Sequence, residues 1–234
     1  MRSLTILSYL IDYPDQTLWD MSAPLIEAIE KSADFTSAQK QSLVKFIETY
    51  LAMDLLDAQE QYHATFDVGS STSLLLFEHI HGDSRERGQA MVDLLVQYEQ
   101  SGLTITENQL PDYLPLFLEY AAHLPTEEAI HWLKQIAVII RLLALRLAKR
   151  ESEYEILFNL LFELSGEQAD EVSLQNKIMN EQADNTPQAL DTIWQEEQVL
   201  FNAGSACDSS VAQPLQTQSK TSTYYVNVGE DKRI

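Results

Sequence analysis

Apolar residues recur three and four positions apart along almost the whole chain before residue 204, and alternating strand-like runs are nearly absent there. That periodicity restricts the chain to packed helices. The most apolar stretch, Ile136 to Ala148, is interrupted by Arg141 and Arg146. It is shorter than the roughly 20 residues a bilayer span requires, so it reads as a core helix. Seven Gly and seven Pro in 234 residues are few, which argues against a loop-rich or all-β architecture.

Local signals divide the chain. Leu4, Leu7, Leu10 and Ile11 form a first face that Pro14 ends. Asp15 is placed to cap a segment through Trp19, Leu25, Ile26 and Ile29, which Pro24 breaks or restarts. Thr36 and Gln39 make a capping box ahead of Leu43, Val44, Ile47, Tyr50 and Leu51. The next helix runs from about Asp54 to Asp67, with Leu55, Tyr62 and Phe66 inward, and stops at Gly69 and the serines beyond. An apolar run, Leu74 to Phe77, precedes a turn at His81 to Ser84, and Ser84 is placed to cap a helix carrying Met91, Leu94, Leu95 and Tyr98, closed by Gly102. Pro111 suits the first turn of a helix presenting Leu114, Phe117, Leu118 and Ala121, with Pro115 early enough to be tolerated or to bend it. Thr126 opens the long helix through Leu147, Tyr154 to Leu164 continues the pattern, and Thr186-Pro187 starts a last helix through Leu190, Ile193, Trp194 and Val199. The expectation is all-α, roughly eight to ten helices in one compact domain over residues 1–203. From residue 204 to 234 the composition turns to Ser, Gln, Thr and Ala, which predicts a flexible, disordered polar tail with a small β-prone island at Tyr224 to Val228.

Charge narrows the partners. Fifteen Lys plus Arg against 36 Asp plus Glu give −21, which repels nucleic-acid phosphates and anionic lipid. Between residues 46 and 133 the fixed cations are Arg85 and Arg87 alone, set among acids that include Asp67, Glu78, Asp83, Asp112 and Glu119. A basic partner is one reading; plain solubility is the other. The single Cys207, in the tail, cannot form an internal disulfide, and residues 1–10 do not read as a secretory signal, so a cytoplasmic location is expected.

Catalytic signatures are missing. No P-loop, dinucleotide turn or paired zinc-spaced cysteines occur. The run Glu78-His79-Ile80-His81-Gly82-Asp83 could serve a metal-dependent hydrolase, yet Ser84 stands where a third histidine would, and on a helix His79 and His81 diverge by about 200°. The competing reading is a polar junction whose side chains bond freed backbone groups. No enzyme activity, bound cofactor or metal is expected.

Leu74 to Met91, reading LLLFEHIHGDSRERGQAM, resembles a signature stretch of the NarJ/NarW nitrate reductase assembly chaperones. Tyr9-Leu-x-x-Tyr-Pro-Asp15, Leu56 to Tyr62 with Phe66-Asp67, Leu110 to Tyr120, Asp184 to Asp191 and Trp194 to Val199 are similar too, so the likeness covers about residues 1–200. The resemblance implies an all-helical fold shared with the TorD and DmsD maturation proteins. It also implies a cytoplasmic chaperone that binds the apo catalytic α subunit of membrane-bound nitrate reductase, in part through its leader-like N-terminal segment. Such a protein holds no cofactor permanently, assists insertion of the molybdenum cofactor before membrane docking, meets cofactor-delivery proteins, and is absent from the final enzyme. Another molybdoenzyme as client is the alternative.

A basic, amphipathic client segment would need acids to steer it and apolar side chains to hold it. The expected client-binding residues are Tyr62, Phe66, Asp67, Glu78, His79, His81, Asp83, Asp112, Leu114, Phe117, Glu119 and Tyr120. For Tyr62, Phe66, Leu114 and Phe117 the competing reading is ordinary core packing. For Asp67, Asp83, Asp112 and Glu119 it is helix capping or a solvated face. Arg85 and Arg87 are expected to pair with neighbours such as Asp83 or Glu119.

Overall fold

The helical period is realised in the computed structural model, which describes residues 1–81, 85–105 and 109–196, without the side chains of His81, Arg85 and residues 192–196. The expectations for Asp83, the Ser84 cap, the His81 side chain, the 204–234 tail and Cys207 lie outside the described residues. Twelve helices follow in order among those described: α1 (Arg2–Ile11), α2 (Gln16–Asp20), α3 (Ser22–Lys31), α4 (Ser37–Tyr50), α5 (Leu55–Tyr62), α6 (Glu78–His81), α7 (Arg85–Gln100), α8 (Leu114–His123), α9 (Thr126–Lys149), α10 (Glu155–Ser165), α11 (Glu171–Asn180) and α12 (Pro187–Glu196). A wide π turn, His63–Asp67, extends α5.

The predicted caps form: Asp15 accepts from Leu18 N–H and Thr186 Oγ1 from Ala189 N–H. Asp54, expected only as the start of its helix, also caps it, accepting from Leu56 N–H. Thr36 and Gln39 exchange both bonds of the capping box. Each such cap satisfies a donor the helix itself cannot.

Two boundaries differ from expectation. The break between α2 and α3 falls at Met21, so Pro24 sits inside the first turn of α3, where no intrahelical N–H is lost. Pro111 does not open α8, which starts at Leu114 with Pro115 in its first turn. The reason is tertiary: Leu76 N–H donates to Asp112 O and Leu114 N–H to Leu74 O, both 2.9 Å, so Tyr113 is held extended in an antiparallel bridge with Leu75. Helix α11 was not anticipated, because its apolar residues make no continuous stripe: Val172 and Met179 are exposed while Ile178 is buried.

The core is built on α1, α8, α9 and α10. Met1 N donates to Ala122 O at 2.8 Å and Ser8 Oγ to Pro115 O at 2.7 Å, so α1 lies antiparallel on α8. Helix α9 packs most extensively against α10 and buries Leu133, Ile140, Leu143 and Leu147 on one stripe. No described helix is long and apolar enough to cross a membrane. A cluster of rings joins the halves: Phe46 stacks on Tyr50, Phe66 meets Tyr154 edge-on at 4.8 Å, and Tyr154 OH donates to Tyr50 OH at 2.7 Å.

Candidate functional site

Tyr62 ends α5 and Phe66 lies in the π turn; four residues apart, their rings meet, 4.9 Å between centroids and both buried, while Asp67 stays at the surface. Behind them Tyr154 supports both rings. In front lies a cavity of about 560 Å³ lined by Tyr13, Tyr62, Phe66, Asp67, Gly69, Ser70, Ser73, Leu74, Leu75, Glu78 and Tyr113. Its wall carries two carboxylates and, among the described residues, no Lys or Arg.

A relay of hydroxyls shapes one side. Tyr113 OH donates to Asp12 Oδ1 at 2.8 Å and therefore accepts from Tyr62 OH at 3.0 Å. Burial raises both phenols, so they stay protonated and keep this direction at ordinary pH. Asp12 also borders a second cavity of about 490 Å³, with Thr5, Ser8, Tyr9, Asp15, Thr17, Glu119 and His123. The Asp12–Tyr113 bond is thus the partition between two acid-lined hollows.

The opposite side is the loop between the π turn and α6, and Arg146 of α9 and Arg150, the residue that ends α9, hold it. Arg150 donates to Thr65 O, Thr72 Oγ1, Ser71 Oγ and Asp184 Oδ1 at 2.6–3.1 Å. Asp184 in turn accepts from Ser71 N–H and Oγ–H, at 2.7 and 2.8 Å. Burial alone would raise the Asp184 carboxyl, but the Ser71 bonds and the Arg150 charge outweigh it and hold it below its usual range. Arg146 grips Glu181 at two points, 2.8 and 2.6 Å, and donates to Ser71 O at 2.8 Å. The Arg146 bond holds Glu181 below the ordinary carboxylate range. Read along the sequence, Arg146 only interrupts an apolar helix and Arg150 only follows its end; nothing local reveals their partners.

The twelve expected residues separate. Tyr62, Phe66, Asp67 and Glu78 meet on the first cavity. Glu119 lies on the second. Leu114 and Phe117 line neither: Leu114 is completely buried and Phe117 packs edge-on against Trp132 at 6.0 Å. Tyr120 borders a separate hollow of about 120 Å³ beside Tyr98. For these three, burial favours core packing, and a partner reaches Leu114 or Phe117 only by opening the fold.

Asp112 is a correction. Expected to bind the client, with a cap or a solvated face as the competing reading, it is 0% exposed, with Oδ2 accepting from Phe77 N–H at 3.1 Å. Burial raises its carboxyl; the Phe77 bond and Arg87 offset part of that. Arg87 pairs with Glu78 and Asp112 rather than Glu119, because α7 returns over α6.

His79 behaves as the polar-junction reading predicts. Its Nε2–H donates to Ser73 O at 2.8 Å, leaving Nδ1 to accept from Arg146 at 3.3 Å. Burial lowers its basicity, and Arg146 acts the same way. Both ring nitrogens are committed, so neither is open to a metal. Sequence reasoning missed Asp12 and Tyr113. It quoted Tyr9, Tyr13 and Asp15 as landmarks without naming them as site residues, and all five now border the cavities.

Comparison with known proteins agrees in direction. The family model described as nitrate reductase delta subunit matches residues 30–159. The chain is 50% identical over 210 residues to the nitrate reductase molybdenum cofactor assembly chaperone NarJ of Escherichia coli K12, covering 90% of this chain and 89% of that one. It is 42% identical to the probable assembly chaperone NarW of the same strain, over 90% and 89%. The probable NarJ of Bacillus subtilis 168 is 35% identical over 68% of this chain and 85% of its own.

Proposed function

Because the chain belongs to the nitrate reductase delta subunit family, among the NarJ/NarW molybdenum cofactor assembly chaperones, we propose that it is a cytoplasmic, non-catalytic chaperone of the apo α subunit of membrane-bound nitrate reductase. It holds that subunit partly through a leader-like N-terminal segment while the molybdenum cofactor, supplied by delivery proteins, is inserted. It then lets the loaded subunit dock at the membrane and stays out of the finished enzyme. The cofactor belongs to the client.

One observation carries the binding part: a roughly 560 Å³ cavity with an aromatic floor, carboxylates on its wall and, among the described residues, no Lys or Arg lining it. An apolar side chain of the client fills the hollow over Tyr62 and Phe66, contributing about 1.5–3 kcal/mol if fully buried. A neighbouring Lys or Arg meets Asp67 or Glu78, or stacks on the half-exposed Tyr13 ring. The acid-rich surroundings speed encounter, so salt weakens the complex.

The test is a titration of the full chain with a labelled peptide copying the client's N-terminus. Saturable binding that weakens as salt rises, and about three- to tenfold weaker binding by Asp67→Lys, are expected. Equal affinity in that variant would refute the cavity assignment. In cells lacking the chain, the α subunit should accumulate without cofactor; normal loading refutes the chaperone role.

A further inference from the structure

The structure holds three well-described arginine–carboxylate contacts near the candidate site, and one is unlike the others. Arg146 and Arg150 are held tightly: Arg146 bonds Glu181 at 2.8 and 2.6 Å, Arg150 bonds Asp184 at 2.6 Å, and both make further bonds to the loop. Arg87 is not. Its Nη1 donates to Glu78 Oε1 at 3.2 Å, and its Nη2 stays 3.7 Å from Asp112 Oδ2, beyond hydrogen-bond reach. Arg87 Nε and Asp112 Oδ1 are both buried and find no hydrogen-bond partner among the described residues. The two-point geometry that makes an arginine–carboxylate pair strong is absent here.

Position matters as much as geometry. Glu78 is at once the partner of Arg87 and a wall residue of the client cavity. Arg87 lies in the first turn of α7, whose buried anchors, Leu94 and Tyr98, are two and three turns farther on. The N-terminal part of α7 can therefore lift without unseating them.

We propose that Arg87 is an internal placeholder: its guanidinium occupies the Glu78 carboxylate until a basic side chain of a bound polypeptide displaces it, freeing the start of α7. The contact is autoinhibitory. It screens the wall of the cavity against weakly cationic or purely apolar segments, and it keeps Glu78 paired while the cavity is empty. The inference rests on the reading of this cavity as the client site.

The experiment compares the full-length chain with Arg87→Gln, using a labelled amphipathic peptide that carries two arginines beside a Leu/Phe stripe. Removing an internal competitor raises the competent fraction, so about five- to tenfold tighter binding is expected. Arg87→Gln combined with Asp112→Asn removes both buried charges, guards against misfolding, and should show the same gain. Arg87→Lys should stay within about twofold of the parent. Binding by the parent with no gain in folded variants overturns the placeholder and leaves the cavity reading standing; binding by neither protein overturns both. If no variant folds, hydrogen exchange of the parent decides: amides in the first turns of α7 should exchange faster with peptide bound, and unchanged or slower exchange overturns the proposal.

Discussion

Gly69→Ala tests whether the loop wall of the cavity is held as the geometry indicates. Gly69 has φ +85°, and a Cβ there would lie 2.6 Å from both Cγ and Oδ2 of Asp184. The left-handed backbone costs an alanine about 1–2 kcal/mol. The carboxylate cannot swing away freely, because Ser71 N–H, Ser71 Oγ and Arg150 all hold it. Displacing it weakens charge-assisted bonds that are partly exposed to water, adding about 1–2 kcal/mol more. Gly102 supplies the control: φ is +82° and nothing lies within 4 Å of a built Cβ, so Gly102→Ala carries the backbone cost alone. In a chain this long 1 kcal/mol moves the melting temperature by about 2–4 °C. Circular dichroism should therefore show a fall of roughly 4–16 °C for Gly69→Ala, about twice the roughly 2–8 °C for Gly102→Ala. In an Asp184→Ala background the extra loss at position 69 should vanish. Equal losses at the two glycines, or no relief in the double variant, would refute the reasoning.

Three other perturbations have defined outcomes. Stability should decline as pH falls below about 6.5, because the unfolded His79 takes a proton near that value while the buried, Arg146-facing ring resists it. A folded pKa below the unfolded one means full stability above pH ~6.5 and progressive loss toward the folded value; urea midpoints between pH 7 and 5.5 should fall less in His79→Gln. Phe117→Ala should cost about 3–5 kcal/mol in denaturant unfolding, since the ring is only 2% exposed and meets Trp132. Tyr13→Ala, at a ring 51% exposed, should cost less than about 1 kcal/mol yet weaken peptide binding.

Legibility followed the range of the interaction. The caps at Asp15, Thr36 and Thr186 were readable because each bond closes within three residues. The inward faces of α4, α9 and α10 were readable because a single period specifies them. So was the acid excess, which needs only counting.

What the sequence could not decide is which buried faces meet and which polar side chains sink. Tyr62 and Tyr113 bond across 51 positions, and Arg146 reaches Ser71 across 75. Asp112 looks like any loop acid until the bridge to Leu76 draws it inside. Local pattern specified helices, their ends and their apolar sides, because those depend on neighbours a few residues away. Packing alone gathered four of the expected residues around one cavity and left Leu114 and Phe117 in the core, because that choice depends on chain segments far apart in sequence.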